Sequence, residues 1–480
     1  MTILERGRNC WRTELAARAA VLVDAQNYFN VLEQTLRRAR KSILIAGWDF
    51  DGTIFLDPEG TMDEPVPLGP LLRKLVEEQP ELEVHILVWS TAVLHGFSGM
   101  AALLFGAGWM RHPRISLRLD TMHPFYASHH QKIIAIDDTV AFVGGVDLTT
   151  GRWDTRAHLS RDRRRRGLNG RRHGPVRDVQ MIVDSDAAVA LADLVRERWR
   201  LATGEALRPC GRDGDVWPEG LEPQFNDHTV GISRTMPDWR KGTAVSEILH
   251  LAEDMLRSAR DLVYVEAQYF CSVRIGRVVE ELLERPGGPE VVVITSRTLP
   301  GVVETWAMGG NRDRLIRRLK KADREDRLRV YYPLAARTDG DRHEVEILVH
   351  SKVLIVDDRI LRVGSSNLNN RSFGIDTECD LVIEADDEAT AETIRRQCRG
   401  LMADLAGVSV AALDEAVRSE GSFLRGLDRL AARTGRLKAF SAMQEEGPTG
   451  QLPGTRFFDP QERFELPWVT PRRSGGDGGS

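Results

Sequence analysis

The apolar positions of this chain follow the same succession twice. Apolar residues first recur at helical spacing, as at Phe29, Leu32 and Leu36, and the chain then enters a short apolar run, SILIAGWDF. The succession returns 220 residues later, where LRRARKSI becomes LRSARDLV and leads into YVEAQYF. Recurrence every three or four residues is typical of an amphipathic helix, and a short continuous apolar run is typical of a buried strand. Each succession therefore predicts a helix that leads into a strand.

The repeat continues through both parts of the chain. LEVHILVW pairs with PEVVVIT, and RISLRL pairs with RLRVYYP. Each copy then closes with a strand and a helix, DVQMIVDSDAAVALADLVRERW and ECDLVIEADDEATAETIRRQCR. Helices that alternate with short β-rich runs indicate an α/β fold. Because the succession occurs twice, the sequence predicts two homologous α/β/α sandwich halves.

The boundary between the halves is predicted from composition. The stretch TGEALRPCGRDGDVWPEGLEP is rich in Gly, Pro and charge, as linkers are. We expect an N-terminal half at 1–205, a linker at 206–225, a C-terminal half at 226–440 and a flexible tail at 441–480. The tail is predicted to be disordered because it is rich in Gly and Pro and ends in RRSGGDGGS.

Composition and charge narrow the class of protein. The 480 residues carry a formal net charge of -5 and are 42% hydrophobic, as in a soluble globular protein of two or three domains. The negative balance disfavours a dedicated nucleic-acid binder. Five cysteines without a CxxC pair predict neither a disulfide framework nor a zinc site. With a poor signal peptide and no apolar window of roughly 20 residues, we expect a cytoplasmic monomer whose contact with membranes is peripheral.

Each half contains one copy of a His-x-Lys-x4-Asp motif. The six motif residues are His130, Lys132 and Asp137 in the first copy and His350, Lys352 and Asp357 in the second. On a strand, the His and Lys of one copy project to the same side, which places a nucleophile or proton donor beside a fixed cation. A phosphodiester requires this arrangement, because charge develops on its non-bridging oxygens during in-line attack. The motif aspartates fall on the opposite face or at the strand end, and we expect them to orient the motif.

A glycine-containing turn follows each motif. The first turn is Gly144-Gly145-x-Asp147, and the second is Gly364-Ser365-x-Asn367. The second can turn the chain tightly and aim an amide donor at a phosphate. In the first, the carboxylate of Asp147 would repel a phosphate unless it sits back and binds another group. Two motifs with matching turns inside a constant repeat are a far more specific signal than one such motif alone.

These stretches resemble the phospholipase D superfamily, and within it the bacterial phospholipase D-like, transphosphatidylase branch. The resemblance covers about 36–400 and rests on GWDFD, SHHQKIIAIDD, GGVDLTTGRWDT, HSKVLIVDD and GSSNLNNRSFGIDTECDL. It implies two halves related by a pseudo-twofold axis, with both histidines at one phosphorus. It also implies that one histidine, in the family pattern His130, forms a phosphohistidine, while His350 protonates the leaving alcohol. Water or another alcohol then releases the phosphoryl group.

The resemblance further implies an acidic residue that holds the attacking imidazole. In the second half Glu378, 28 residues after His350, fits this role. Its counterpart in the first half is Asp178, 48 residues after His130, because the first half contains 20 additional residues within RWDTRAHLSRDRRRRGLNGRRHG. The chain departs from the family here, since Val-Arg-Asp stands where a Trp-His-Asp-like sequence is expected.

No cofactor and no metal are predicted. A divalent cation requires clustered carboxylates or neutral imidazoles, whereas a lysine stands two residues from each motif histidine. We expect Lys132 and Lys352 to neutralise the phosphate charge in place of a metal.

The predicted function is a phospholipase D-type phosphodiesterase that acts on glycerophospholipids, with transphosphatidylation as a further activity. A nuclease or another phosphodiesterase could use the same site, although superfamily nucleases are often single-motif chains that dimerise. A cardiolipin synthase-like phosphatidyl transferase is disfavoured because that branch usually carries N-terminal membrane helices. A scaffold on an inactive enzyme fold is disfavoured because both motifs retain His and Lys.

Several other stretches carry weaker hypotheses. His129 is predicted to be structural, and His123 could reach the mouth of the cleft. The basic run at 161–166 is either a solvated loop or a contact for anionic lipid or nucleic acid. The apolar, Gly-bearing stretches 96–110 and 298–312 occupy equivalent places in the two halves, and we expect them to be either buried or a pair of lips that enter the lipid interface.

Overall fold

A computed structural model of the protein describes most of the chain. The described residues are 2–60, 64–89, 107–124, 126–166, 172–212, 214–239, 243–299, 301, 304–338, 340–341, 343–455 and 458–460. The apolar stretch 96–110 therefore lies mainly outside the described residues, as do 300, 302 and 303 of its companion loop.

Strands alternate with helices in the succession that the sequence predicts. The strands are β1 (Arg12–Val23), β2 (Ser42–Gly47), β3 (Glu83–Trp89), β4 (Ile115–Asp120), β5 (Ile133–Ile136), β6 (Val140–Gly144), β7 (Val176–Arg177), β8 (Val179–Asp184), β9 (Phe225–Met236), β10 (Val245–Ser246), β11 (Leu262–Ala267), β12 (Glu290–Thr295), β13 (Leu328–Pro333), β14 (Leu348–Val349), β15 (Lys352–Val356), β16 (Ile360–Gly364), β17 (Glu378–Glu384) and β18 (Leu437–Ala439).

The helices cover both faces of these strands. They are α1 (Asp24–Arg38), α2 (Leu68–Glu78), α3 (Ser185–Thr203), α4 (Glu247–Ser258), α5 (Val273–Glu284), α6 (Gly310–Ala322), α7 (Glu388–Ala406), α8 (Val410–Glu420) and α9 (Phe423–Thr434). Helix α1 buries the apolar stripe of Phe29, Leu32 and Leu36. Helix α7 begins where the Asp387 side chain accepts from Thr390 N at 2.7 Å and ends at Gly407, whose positive φ suits a residue without a Cβ.

One sheet runs through both halves in mirror order. Its strand order is β18-β13-β12-β11-β15-β16-β17-β9-β1-β8-β6-β5-β2-β3-β4. Each strand of the first half therefore has its repeat partner at the same distance from the centre, with β9 opposite β1. Strands β2, β3 and β4 are parallel, as are β11, β12 and β13, and the pairings nearer the centre are antiparallel. The predicted fold class, two homologous α/β/α halves about a pseudo-twofold axis, is confirmed.

The centre of the sheet is also the seam between the halves. Strand β1 pairs with β8 of its own half on one side and with β9 on the other, and β9 in turn pairs with β17. An apolar core on one face spans both halves, from Leu191 and Val195 of α3 to Ile394 and Leu401 of α7. On the other face each half has a core of its own. In the part of the chain that the structure describes, no helix is both long and apolar enough to cross a bilayer.

The predicted flexible tail does not begin at 441. Asn311 Nδ2 donates to Thr455 Oγ1 at 2.9 Å, and the buried Asp459 carboxylate accepts from Arg371 N at 2.9 Å. Thr455 and Asp459 are thus held by specific polar contacts, which a reading from Gly and Pro content does not detect. The Gly-rich end of the chain, from 461, lies outside the described residues.

Candidate active site

The motif histidines lie just before their strands rather than within them. His130 precedes β5, which begins at Ile133, and His350 stands between β14 and β15. The backbone of each is held by the opposite half of the molecule, since His130 N donates to Thr377 O at 3.0 Å and His350 N donates to Arg177 O at 2.8 Å. The prediction that side-chain alternation along one strand aligns His with Lys was wrong in this detail.

Each motif histidine is paired with a carboxylate from the other half. His130 Nδ1 lies 2.9 Å from Glu378 Oε2, and His350 Nδ1 lies 2.7 Å from Asp178 Oδ2. Spacing within each half pairs each acid with the histidine of its own half, and that prediction is wrong. Spacing along one chain does not reveal that the strand ends cross at the seam. In both pairs Nδ1 faces a carboxylate, so Nε2 is the nitrogen left to face a substrate.

The two histidines share one electrostatic environment. Burial lowers the pKa of His130 well below its usual value, and the charges of Lys132 and Lys352 lower it further. Burial likewise lowers the pKa of His350, with contributions from Lys352, Lys132 and His130 itself. Because each imidazole responds to the lysine of the other motif, the two motifs form a single site at the seam.

The two motif lysines differ in their partners. Lys132 Nζ lies 3.2 Å from Asp147 Oδ2, and Asp147 Oδ1 accepts from Trp48 N at 3.0 Å. The carboxylate of Asp147 therefore forms an ion pair with Lys132. No carboxylate of the described residues lies at ion-pair distance from Lys352, whose Nζ donates to His350 O. Burial lowers the pKa of Lys352 to about 7, although Asp178 opposes the shift.

The turns after the two motifs contact the two carboxylates in different ways. A Cβ at Gly145 would lie 2.0 Å from Asp178 Oδ1, so glycine is needed for Asp178 to approach. The equivalent Ser365 instead donates from Oγ to Glu378 Oε2 at 2.5 Å. Asn367 N donates to Ser372 Oγ at 3.1 Å, and its side-chain oxygen is buried without a partner among the described residues. Ser365 therefore supports Glu378, while the side-chain amide of Asn367 is available to bind a substrate.

Comparisons with known proteins give matches in both halves of the chain. The family model described as Phospholipase D matches 35–207, and the one described as Cardiolipin synthase, PLD-like domain matches 253–401. Phospholipase D A of Dictyostelium discoideum is 25% identical over 79% of this chain and 33% of its own length. Phospholipase D2 of Bos taurus is 24% identical over 75% of this chain and 49% of its own.

The chain belongs to the phospholipase D superfamily. It spans about a third to a half of the length of these curated relatives. The crystal structure of phosphatidylserine synthase from Haemophilus influenzae Rd KW20 has a similar fold, with a TM-score of 0.54, 14% sequence identity, and coverage of 80% of this chain and 87% of that one.

Two of the superfamily motif residues lie away from the histidines. Asp137 accepts from the main-chain N–H groups of Lys41 and Ser42 at 2.8 and 2.7 Å, and Asp357 accepts from Asp261 and Leu262 at 2.8 and 2.9 Å. Each carboxylate fixes the chain where it enters β2 or β11. The structure thus places both aspartates as backbone anchors at the far end of β5 and β15.

The weaker candidates are largely accounted for by local contacts. His129 is fully buried, with Nδ1 2.8 Å from Asp120 Oδ2, and His123 is also buried. In the basic run, Arg161 pairs with Asp341 at 2.9 Å and Arg165 is buried beside Asp154. Over its described residues the run is therefore mixed, with Arg165 buried and Arg161, Arg163 and Arg166 exposed.

Sequence reasoning missed Arg152 in this superfamily site. Burial is the main influence on the pKa of His350 and Lys352, but the charge of Arg152 also lowers both, so its guanidinium lies close to them. Its Nε is buried and has no partner among the described residues. In contrast, Arg371, from the equivalent loop of the second half, is bound to Asp376 at 2.6 Å. The signal was present in GRWDT, directly after the first turn.

Proposed function

We propose that the protein is a phospholipase D-type phosphodiesterase that acts on glycerophospholipids through a phosphohistidine, in the transphosphatidylase branch. The observation that carries the proposal is the pair of histidines at one seam, each with Nδ1 on a buried carboxylate and with no partner of Nε2 among the described residues. This activity requires a nucleophile and a proton donor at one phosphorus. The two crossed pairs, His130 with Glu378 and His350 with Asp178, supply one of each.

In the first step, His130 Nε2 attacks the phosphorus and a P–N bond forms. The bond between the phosphorus and the headgroup oxygen breaks, and that oxygen receives the proton that the Asp178–His350 pair carries on His350 Nε2. Glu378 keeps the proton of His130 on Nδ1, so that the Nε2 lone pair is available, and it stabilises the charge that develops on the ring. Because burial lowers the pKa of His130, the attacking imidazole is neutral at neutral pH.

In the second step, water or another alcohol attacks the phosphohistidine. His350 removes the proton of the attacking oxygen, a P–O bond forms, and the P–N bond to His130 breaks. The enzyme returns to its starting protonation state. Burial raises the pKa of Asp178 to about 6, so the Asp178–His350 pair can hold and release one proton near neutral pH, and its apparent pKa values belong to the pair.

Cationic groups stabilise the charge on the phosphate in both steps. Lys132 is held in place by Asp147, whereas Lys352 and Arg152 lack a carboxylate partner among the described residues and can bind non-bridging oxygens. The Asn367 amide adds a neutral donor. A guanidinium keeps its charge at every physiological pH, which a lysine with a lowered pKa does not.

The central test is hydrolysis of phosphatidylcholine and phosphatidylglycerol by the purified chain without added metal. We expect phosphatidic acid to appear, and we expect EDTA to leave the rate unchanged. Quenching in alkaline denaturant, which spares the acid-labile P–N bond, should trap label from a radiolabelled acyl chain on His130. Absence of phosphatidic acid across a panel of headgroups, together with cleavage of bis-p-nitrophenyl phosphate or DNA, would favour the nuclease alternative.

Phosphatidyl transfer is a second activity of the same site. It is favoured by the match of the second half to the cardiolipin synthase-type domain model. Since the second step needs only an oxygen nucleophile that His350 can deprotonate, an alcohol can replace water. With 1% ethanol present, we expect phosphatidylethanol by mass spectrometry; phosphatidic acid alone would limit the enzyme to hydrolysis.

We also propose a peripheral contact with the bilayer at the rim of the site. Trp306 and Phe458 are 47% and 42% exposed, and their rings meet edge to face with centroids 5.9 Å apart. Phe458 O lies 3.4 Å from Arg371 Nη1, next to the turn that carries Asn367. Aromatic side chains favour the headgroup region of a bilayer. Trp306→Ser should weaken liposome flotation, whereas Val410→Ser, at an exposed apolar residue of α8, should not.

A further inference from the structure

A cluster of buried charged groups lies behind the Asp178–His350 pair, and the reaction steps above do not use it. Its members, here called the seam network, are Asp24, Asp154, His158, Arg165, Arg177 and Glu266. None of them is more than 1% exposed. Removing charges from water costs several kcal/mol per ion, which the attraction between partners offsets only when the geometry is good. A cluster of this size therefore needs a reason.

Arg177 connects the two halves within the network. Its Nε and Nη2 each lie 3.2 Å from a carboxylate oxygen of Glu266, in β11 of the second half. Its Nη1 lies 3.2 Å from Asp24 Oδ2, at the start of α1 in the first half. Its main-chain oxygen accepts from His350 N at 2.8 Å. One residue thus ties the backbone of the second motif histidine to both halves.

The same carboxylates reach the catalytic pair from two further directions. Asp24 Oδ1 accepts from Asp178 N at 3.3 Å, and Asp24 N donates to Asp178 O at 2.8 Å, so Asp24 fixes the main chain of the residue that holds His350. Glu266 accepts from the hydroxyl of Ser351, which stands between His350 and the motif lysine. Displacement of either carboxylate would move one end of the Asp178–His350 hydrogen bond.

His158 is the second cation at Asp24. Its Nε2 lies 3.3 Å from Asp24 Oδ2, and its Nδ1 lies 3.0 Å from Asp154 Oδ2. Burial opposes its charge, but the two carboxylates outweigh burial and raise the pKa of His158 to about 9. Asp154 also accepts from Val176 N at 2.9 Å, directly before Arg177. The imidazolium therefore links Asp24 to the strand that carries Arg177.

The other half of the repeat has neutral residues at the positions equivalent to Glu266 and Arg177. Ala46 occupies the place that Glu266 has in the second half, and Thr377 takes the place of Arg177. Behind Glu378 the donor is the neutral amide of Gln131, whose Nε2 lies 3.2 Å from Glu378 O. Because neutral residues fill these equivalent positions, the charges of Glu266 and Arg177 are not a requirement of the repeated fold.

The additional residues of the first half supply the missing members. Asp154, His158 and Arg165 all belong to the segment that lengthens the first half relative to the second. The insertion that looked from sequence like a basic surface loop thus delivers a histidine, a carboxylate and an arginine to the interior.

We propose that the seam network positions His350 through Asp178, which makes Arg177 and His158 positioning residues for the proton-transfer half of the reaction. The inference rests on the proposed function, and it assigns a role to residues that touch neither substrate nor phosphorus. It predicts that damage to the network impairs protonation of the leaving group and activation of water more than it impairs attack by His130.

The test uses Arg177→Met, with Arg177→Lys as the conservative variant. We expect Arg177→Met to lower kcat for phosphatidylcholine at least tenfold with KM within about twofold, and Arg177→Lys to recover part of the loss. The matched control is Arg196→Met, which removes an arginine paired with a buried carboxylate, Asp138, in the turn between β5 and β6. We expect it to lower thermal stability and leave kcat within twofold.

A leaving-group comparison separates positioning from general damage to the fold. p-Nitrophenolate leaves without a proton, whereas choline requires one. With the p-nitrophenyl ester of phosphatidic acid, Arg177→Met should retain a burst near one p-nitrophenol per site, followed by slow turnover. An equal loss in the burst rate and in choline release, or a loss no larger than that of Arg196→Met, would overturn the proposal.

Two further variants test the proposal even if Arg177→Met does not fold. If Arg177→Met does not fold, Glu266→Gln keeps the shape and removes the charge, and the same split between burst and turnover is expected. His158→Gln should behave alike but more mildly. A wild-type enzyme that gives neither a burst nor phosphatidic acid would instead refute the proposed function, and normal wild-type activity with unaffected network variants would refute this inference alone.

Discussion

The two motif histidines occupy equivalent places in the repeat, yet their surroundings differ. His350 is 6% exposed and is held by Asp178, behind which lie the six charges of the seam network. His130 is 16% exposed and is held by Glu378, whose carboxylate accepts from the hydroxyl of Ser365. A duplicated motif therefore specifies that two histidines act together, but it does not make them interchangeable.

The lysines repeat the contrast in the opposite sense. Lys132 is tied to Asp147, whereas Lys352 has no carboxylate at ion-pair distance among the described residues and has a pKa lowered by burial to about 7. The histidine whose acid binds a serine hydroxyl, His130, thus has the lysine that is paired with a carboxylate, and the histidine next to the seam network, His350, has the lysine whose pKa is lowered. We interpret the first arrangement as suited to attack and the second to proton transfer.

The largest effects should come from the histidines themselves. His130→Ala and His350→Ala should each lower kcat by more than about 10³-fold, because the two groups act as a unit. The comparison is sharpened by the p-nitrophenyl substrate, on which His350→Ala should still form the covalent intermediate and His130→Ala should not. Intermediate formation by His130→Ala but not by His350→Ala would reverse the assigned roles.

The acidic partners should come next. Glu378→Gln and Asp178→Asn remove the group that holds Nδ1–H, and the corresponding change in another histidine-dependent enzyme costs about 10⁴-fold in kcat. We expect at least about 10²-fold here, with Glu378→Gln slowing the burst and Asp178→Asn slowing the later turnover. If both variants slow the same step, the two pairs do not divide the reaction.

Removal of the Arg152 guanidinium should have an intermediate effect on kcat/KM. Arg152→Gln should lower kcat/KM about tenfold to a hundredfold, because a charge-assisted contact with the phosphate is lost. The matched control is Arg433→Gln, at an exposed position near the end of α9, which should leave kcat/KM unchanged. Steady-state kinetics on short-chain phosphatidylcholine below its micellar concentration would measure both without an interfacial contribution.

A shift in pH dependence is the next expected effect. Because the pKa of Lys352 is lowered to about 7, its ammonium is charged below this pH and becomes neutral as the pH rises through it. Phosphate binding through Lys352 should therefore weaken on the alkaline side. In Lys352→Arg the charge persists, and the alkaline limb of kcat/KM should move upward by more than one pH unit. An unmoved limb would assign it to another group.

The smallest effect should come from Asp147→Asn. This change gives the first half the side chain that the second half has at Asn367 and releases Lys132 from its carboxylate. We expect kcat to change less than about fivefold, since the lysine stays buried beside the site. Steady-state kinetics on short-chain phosphatidylcholine would measure the change, and a loss of more than about tenfold would show that the Lys132–Asp147 pair is needed.

Much of the fold could be predicted from the sequence because the chain contains two copies of the same succession of helices and strands. The helix and strand around Leu36 recur around Leu256, and a constant offset identifies equivalent strands without any contact information. The central pairing of β1 with β9 did not follow, because neither strand belongs to the repeated stretches that were compared. The order at which two units join is a tertiary property that local periodicity does not carry.

The site shows the same boundary between local and long-range information. His130, Lys132 and their repeat partners are encoded in a short motif, so their identity could be predicted. The exchange of Glu378 and Asp178 between halves could not, because it depends on which strand ends meet at the seam. The insertion was misread for the same reason, since a run of arginines does not reveal which carboxylates face it.

The continuous sheet also protects the molecule from association through exposed strand edges. In the fused chain, β1 and β9 cover each other along the ladder from Arg12–Ile232 to Ala19–Phe225. Either half alone would end in a long strand with unpaired N–H and C=O groups, an edge that invites association with other chains. Joining two copies therefore completes the active site and hides this edge in a single event. The catalytic partnership and protection from aggregation are two results of the same main-chain hydrogen bonds.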